Sequence, residues 1–194
     1  GNLWESPIGA GLFSFAIERD ENLTMYEYSK LPLIVGISLL NGLTNVIDLD
    51  YKFKWTNDIY LDDKKLSGIL VEKVGDFFIV GIGININNIE FSGGAKEGIS
   101  LRAKEGKSYS IDLVIQEVIN SFKKYWGRYL RGEWNEILLE INEKNYLLGR
   151  EIEINSSGEK VSGVGGKILE SGRLEVKIKG EKKELLVGEV HIKL

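Results

Sequence analysis

Two lysines, Lys54 and Lys65, bracket the stretch Trp55-Thr56-Asn57-Asp58 and an acidic turn at Asp62-Asp63. Lysine carries a compact point charge suited to phosphate and carboxylate. Asn57 and Asp58 offer oxygens of the kind that hold Mg²⁺. If a two-residue loop joins the strands on either side of the acidic turn, paired positions sum to an odd number. Even positions on the first strand then share a face with odd positions on the second. Lys54, Asp58 and Lys65 would lie together, as a site for an anionic substrate requires. A three-residue loop breaks this, and the Asp-rich turn allows either. The plainer reading is a solvated sheet face with a cross-strand ion pair, Lys65 pairing with Asp62 or Asp63. That is the commoner outcome for such charges.

Other stretches carry weaker signals. In "VGIGININN", Val80 to Asn88, glycines at 81 and 83 sit in a strand, where they sacrifice packing. They help where a ligand or another element must approach the backbone. Asn85 ends the strand with a donor and an acceptor on one amide, which could read an adenine edge. The plain alternative is an Asn-rich turn. No helix follows, so this is not a dinucleotide fingerprint. A bulge at the glycines would unlink Asn85 from the parity that relates it to Lys65. Near the start, Ser6-Pro7 with Gly9 and Gly11 is turn chemistry. Trp4 could cover an apolar ligand, although a core Trp is commoner. The single histidine, His191, alternates with Val190 and Ile192 and reads as exposed.

The elements that must position these residues follow from periodicity. Gly11 to Glu18 reads as a strand. Leu31 to Leu43 reads as a helix with Pro32 in its first turn, where a missing N–H costs nothing. Leu33, Ile37 and Leu40 share its predicted buried face, and Gly36 marks close packing. Leu49, Tyr51, Phe53 and Trp55 alternate with Asp50, Lys52 and Lys54. The strands "DIYL", "KLSGILVE" and "FFIVGIGIN" then form an antiparallel meander. Ser110 caps a helix whose stripe is Leu113, Val114, Val118, Phe122, Tyr125 and Tyr129. A second helix spans Trp134 to Ile141. From Gly149 short alternating strands are broken by "SSG", "ESG" and "KGE", which predicts a small separate β-barrel. The domains are therefore read as 1–148 and 149–194.

Composition excludes several classes of function. Hydrophobic residues make up 43% of 194, enough for a sizeable core. With 25 Lys+Arg against 29 Asp+Glu the net charge is −4, which argues against nucleic acid as a partner of this chain. There is no Cys, hence no disulfide, thiolate nucleophile or zinc–cysteine site. One His makes a Ser-His-Asp triad improbable. No apolar run is long enough to cross a membrane, and no signal peptide is recognised. The composition suits a reducing compartment, and a cytoplasmic location is expected.

Three stretches in this order, "KWTND" (Lys54 to Asp58), "KLSGILVE" (Lys65 to Glu72) and "GIGIN" (Gly81 to Asn85), resemble the biotin protein ligases. That family carries K-W-P-N-D, K-L-A-G-I-L-V-E and G-I-G-I-N. "GNLWESPIG" at the start looks like the tail that follows the family's arginine-rich loop, and "GEVHI" (Gly188 to Ile192) like part of its C-terminal domain. Thr56 replaces the family's usual proline. The sequence is read as opening after the arginine loop and the strand and helix that bind the biotin head. The resemblance implies an α/β (α+β) fold of the class II synthetase type. In it a mixed, largely antiparallel sheet packs on helices and is followed by a small SH3-like barrel. It implies a ligase that activates biotin with ATP and Mg²⁺ to biotinyl-5′-AMP and transfers it to a lysine of a biotin carboxyl carrier domain. A homodimer is among the expectations. Implied roles are Lys65 on the biotin carboxylate and bridging phosphate, and Lys54, Asn57 and Asp58 on the triphosphate and Mg²⁺. Gly68 and Gly81 would admit biotin to the backbone under Trp4, and Asn85 would bind adenine. A lipoate or octanoyl protein ligase is the neighbouring enzyme reading, and a non-catalytic biotin-sensing module the reading from another class.

Overall fold

The computed structural model describes residues 7–91, 98–156, 159–186 and 189–192. Its first sheet contains β1 (Gly11–Glu18), β2 (Lys52–Lys54), β3 (Asp58–Leu61), β4 (Lys64–Val74) and β5 (Phe77–Ile84), in the order β1-β5-β4-β3-β2. The helices are α1 (Met25–Tyr28), α2 (Leu31–Val46), α3 (Leu101–Glu105), α4 (Ile111–Leu130) and α5 (Trp134–Glu143). A second sheet of β6 (Glu151–Ser156), β7 (Glu159–Ile168), β8 (Leu174–Ile178), β9 (Glu181–Leu185) and β10 (Glu189–Ile192) runs in the order β10-β6-β7-β8-β9. Every described ladder is antiparallel. The expectation of a mixed sheet is corrected: parallel pairing is confined to two isolated bridges, Phe53 to Asn145 and Lys65 to Gly98.

The first sheet has two unlike faces because side chains alternate along each strand. Ile69, Phe78, Val80, Ile82 and Ile84 point inward and are buried under α2 and α4. Tyr51, Phe53 and Trp55 are buried as their alternation predicts. α2 departs from expectation. It is apolar on all sides, with Leu31, Leu33, Ile34, Val35, Leu39 and Leu43 all buried, because sheet, helices and second sheet surround it. In α4 the Ser110 cap is present, the Leu113 amide donating to Ser110 Oγ at 3.3 Å. The stripe runs from Val114 to Tyr129, but Leu113 lies outside it and is exposed.

The second sheet shares one apolar cluster with the first, through Ile152, Ile154, Ile168, Leu174, Val176 and Val190. Side chains of the first part reach its backbone. Trp55 Nε1 donates to Gly172 O at 3.0 Å and Trp134 Nε1 to Glu170 O at 2.9 Å. Asn142 donates to Ile168 O at 2.9 Å and accepts from Ile168 N at 2.8 Å. Asn145 donates to Gly166 O at 3.0 Å.

Two helical glycines separate packing from propensity. A Cβ at Gly36 would lie 2.7 Å from Cδ2 of the fully buried Phe53 ring. One at Gly127 would meet nothing nearer than Arg131 Nη1 at 3.5 Å. Alanine gains about 1 kcal/mol of helix propensity at either site, while overpacking a core costs about 1–3 kcal/mol. Urea unfolding should therefore show Gly36→Ala destabilising by up to about 2 kcal/mol and Gly127→Ala stabilising by about 0.5–1 kcal/mol. Equal effects at the two positions would refute the Phe53 contact.

Candidate active site

The β3–β4 hairpin turns through Asp62 and Asp63, both with positive φ (50° and 58°), a two-residue connection. Leu61 pairs with Lys64 and Tyr60 with Lys65, an odd sum. Across the other edge of β3, Lys54 pairs with Asp58. Lys54, Asp58, Tyr60 and Lys65 thus project from the face of the sheet opposite the helices. Lys65 Nζ lies 2.7 Å from Asp58 Oδ1. Lys54 Nζ donates to Tyr60 Oη at 3.2 Å and stands 5.0 Å from the centre of that ring.

Beyond Lys65 the register shifts. Ser67 pairs with Ile59 and Gly68 with Asp58, so Leu66 is an extra residue and is fully buried. The bulge reverses the parity of β4. Lys65 stays on the open face, and so do the even-numbered Gly68 and Leu70. There is no bulge at Gly81 or Gly83 to unlink Asn85: β4 and β5 pair without a break from Ser67–Ile84 to Val74–Phe77. Gly68 faces Gly83, Leu70 faces Gly81, and β1 brings Leu12 opposite Gly83. The open face beside the charged cluster is a strip of backbone walled by the exposed Leu12 and Leu70. A Cβ at Gly81 would touch only Leu70, at 3.9 Å.

The turn carboxylates do not pair with Lys65. Asp62 takes Lys104 at 2.6 Å and Asp63 takes Arg150 Nη1 at 2.8 Å. Hydrogen bonds from Arg150, and then from Tyr146, hold the Asp63 carboxyl below its ordinary pKa. Burial, followed by the Asp63 contact, pushes the Tyr146 hydroxyl up to about 12. Arg150 lies over the Tyr146 ring at 4.2 Å, and Tyr146 stacks on Tyr60 at 4.7 Å. A continuous chain of contacts therefore runs from Lys54 through Tyr60 and Tyr146 to Arg150 and back to the hairpin tip.

Asn57 is exposed. Its amide donates to Ile69 O at 2.7 Å while Ile69 N donates to Asn57 O at 2.9 Å, which leaves the side-chain oxygen outward. Asn85 is 6% exposed; Nδ2 donates to Lys65 O at 3.3 Å, and Oδ1 accepts from Asn88 Nδ2 at 3.2 Å. It stands at the same corner as Lys65. Trp4 lies outside the described residues. His191 is exposed on β10 and takes no part in the cluster. Sequence reasoning missed Tyr60, although its even number on β3 puts it beside Lys54. It also missed Asn88, which "NINN" held in plain view. Tyr146, Lys104 and Arg150 gave no signal, since their partners are remote in sequence. Among the described residues no three His, Cys, Asp or Glu side chains gather to hold a metal, and no helix is long and apolar enough to cross a membrane.

Antiparallel sheet, helical backing and a half-buried lysine–aspartate cluster make an α/β module with one charged face. The profile of the biotin/lipoate A/B protein ligase family matches residues 1–87. The bifunctional ligase/repressor BirA of Bacillus spizizenii is 28% identical over 145 residues, covering 71% of this chain and 44% of that protein. BirA of Escherichia coli is 38% identical over 91 residues, covering 44% and 28%. The structure of the biotin protein ligase from Aquifex aeolicus in complex with biotin and ATP superposes with a TM-score of 0.88 at 29% identity, covering all of this chain and 82% of that one. These likenesses all point to the biotin protein ligases as what the chain resembles. The chain spans less than half the length of these curated relatives.

The hairpin clamp has a pH signature. Because the folded pKa of Asp63 is lowered, its contribution is complete above the unfolded-state value of about 3.9. It is lost as pH falls through the lower folded value. Thermal unfolding of the wild type between pH 6 and pH 2 should therefore lose an acid-dependent increment that Asp63→Asn lacks. The increment is small, since the pair is largely exposed. Identical pH profiles for the two proteins would remove Asp63 from the clamp.

Proposed function

We propose that this chain supplies catalytic residues of a biotin protein ligase. The observation that carries the reading is the convergence of Lys54, Asp58 and Lys65 beside a glycine-floored apolar strip. It is supported by the whole-chain likeness to a ligase solved with biotin and ATP.

In the reaction a biotin carboxylate oxygen attacks the α-phosphorus of ATP. The bond from that phosphorus to the bridging oxygen breaks, pyrophosphate leaves, and biotinyl-5′-AMP forms. The amine of a carrier-domain lysine then attacks the acyl carbon. The bond to AMP breaks, an amide forms, and the amine proton passes to solvent. The first step brings two anions together. Two unit charges 4 Å apart repel by about 4 kcal/mol at an effective dielectric of about 20, so fixed positive charge is the main need. Lys65 answers it, its ammonium contacting the biotin carboxylate and the bridging phosphate oxygen. Lys54 serves the triphosphate. Asp58 and the outward oxygen of Asn57 suit Mg²⁺, which keeps most of its waters and takes one or two protein oxygens beside the phosphates. Bound there, Mg²⁺ would offset phosphate charge. Gly68 and Gly81 let biotin lie against the backbone, Trp4 covers it, and Asn85 uses its remaining donor and acceptor on adenine.

Residues 1–148 form the catalytic domain and 149–194 a small SH3-like barrel seated on it through Trp55, Trp134, Asn142 and Asn145. The protein acts in the cytoplasm, as a homodimer, on a biotin carboxyl carrier domain. The lipoate ligase reading shares the matched profile, whereas the named ligases among the curated relatives are biotin ligases.

Two measurements separate these readings. Biotin should raise the melting temperature of the full-length protein that carries this chain, and lipoate should not. A shift with lipoate alone would reverse the substrate assignment. Lys65→Gln should keep the fold and slow biotin-dependent pyrophosphate release by about 10²–10³, the scale of a lost preorganised charge contact. Transfer from preformed biotinyl-AMP should suffer less, because the two anions are already joined. Wild-type pyrophosphate release by the variant would sink the role of Lys65, and a wild type that releases none with biotin would favour the sensing module.

A further inference from the structure

The carboxamide of Asn85 is held by two groups that are not equivalent. The Lys65 carbonyl can only accept, so it fixes which end of the amide faces it. The reverse orientation would set two oxygens against each other. With Nδ2 turned to Lys65, the oxygen of Asn85 faces Asn88. Asn88 must then answer with its amino group, as it does at 3.2 Å. The direction of both amides is dictated from the backbone outward. The same Lys65 carbonyl also accepts the Ile99 amide at 3.0 Å, so the anchor is itself fixed.

An amide nitrogen carries two donors and its oxygen two lone pairs. After these internal bonds Asn85 keeps one donor and one acceptor, side by side and in fixed order. Adenine presents the complement, an N6 amino donor next to the N7 acceptor; guanine presents two acceptors, O6 and N7. An amide free to turn could offer guanine a donor where adenine needs an acceptor. A locked one cannot.

Asn88 also does something its stability role does not explain. It is 2% exposed, and its Oδ1 is buried with no hydrogen-bond partner. A buried acceptor left unpaired destabilises the fold, and an apolar residue of that size would avoid it. Its neighbour Asn87 shows the contrast: its side chain donates to Tyr109 O at 2.8 Å and accepts from Tyr109 N at 2.9 Å. Asn87 staples a loop, whereas Asn88 spends its one bond on orienting Asn85.

We infer that Asn88 is a specificity-determining positioning residue: by locking the Asn85 amide it makes the site select adenine over guanine nucleotides. The inference rests on the proposed reading of Asn85 as the base contact. The test is biotin-dependent pyrophosphate release by the full-length protein with ATP and with GTP. Asn88→Asp is isosteric but cannot donate to Asn85, and Asn88→Leu removes the polar group. In each, the ratio of kcat/KM for ATP to that for GTP should fall by about tenfold or more, through loss with ATP. Asn85→Ala should lose ATP use as well. If Asn85→Ala loses it while both Asn88 variants keep the wild-type ratio, the inference alone is overturned. If Asn85→Ala uses ATP normally, the base is read elsewhere, and the reading beneath falls with it. Should neither Asn88 variant fold, the wild type still decides: GTP used within about fivefold of ATP would mean that no locked amide reads the base.

Discussion

The site depends on one extra residue. A strand turns its side chains with a period of two, so Lys65 and Gly68, three apart, belong on opposite faces of a regular β4. The bulge at Leu66 removes that conflict. Leu66 and Ser67 both enter the interior, and the residues on either side of them share the open face. The lysine and the glycine floor can then serve one ligand, charge at one end and bare backbone along the other. Bulges re-aim side chains next to active sites in many sheets. This one sets which half of the strand shares a face with the lysine cluster.

Charge pairing sharpens the same point. A hairpin whose near-turn residues include Lys64, Lys65 and three aspartates has many ways to neutralise itself locally, and the nearest would tie Lys65 to its own turn. The turn carboxylates are instead drawn outward, Asp62 to α3 and Asp63 to the residue leading into the second sheet. Lys65 pairs with Asp58 on the open face. These outer pairs add little stability, since most of their atoms are exposed. Their effect is geometric, because they hold the tip of the hairpin from two sides, and the stacked Tyr60 and Tyr146 carry that restraint to Lys54.

Much of this was legible in the sequence wherever the relevant period was local. β1 matches its predicted span, the Ser110 cap is where the apolar stripe begins, and the odd-sum pairing of the hairpin follows from a two-residue turn with both φ positive. What was hidden depends on partners far along the chain. Nothing in "KLSGILVE" marks Leu66 rather than a glycine as the bulge, because a buried leucine suits either register. α2 offered three leucine-type positions as a face, yet it is buried all round, since burial counts the neighbours a helix acquires and not its own pattern. Leu113 fits the helical period and is exposed because α2 and β1 pack against the stripe from Val114 onward.

The β2 edge of the first sheet is closed by a segment far along the chain. A strand edge left open invites another chain. Beside β2 that edge is covered by the segment after α5: Phe53 N donates to Lys144 O at 2.8 Å and Tyr146 N to Phe53 O at 2.9 Å. The same three residues, 144 to 146, therefore close the sheet, and within them Asn145 reaches β7 while Tyr146 stacks on Tyr60. Sealing an edge, seating the second sheet and bracing the charged face are one structural act. This gives the second sheet, which contributes no member of the lysine cluster, a physical route to that cluster on the first.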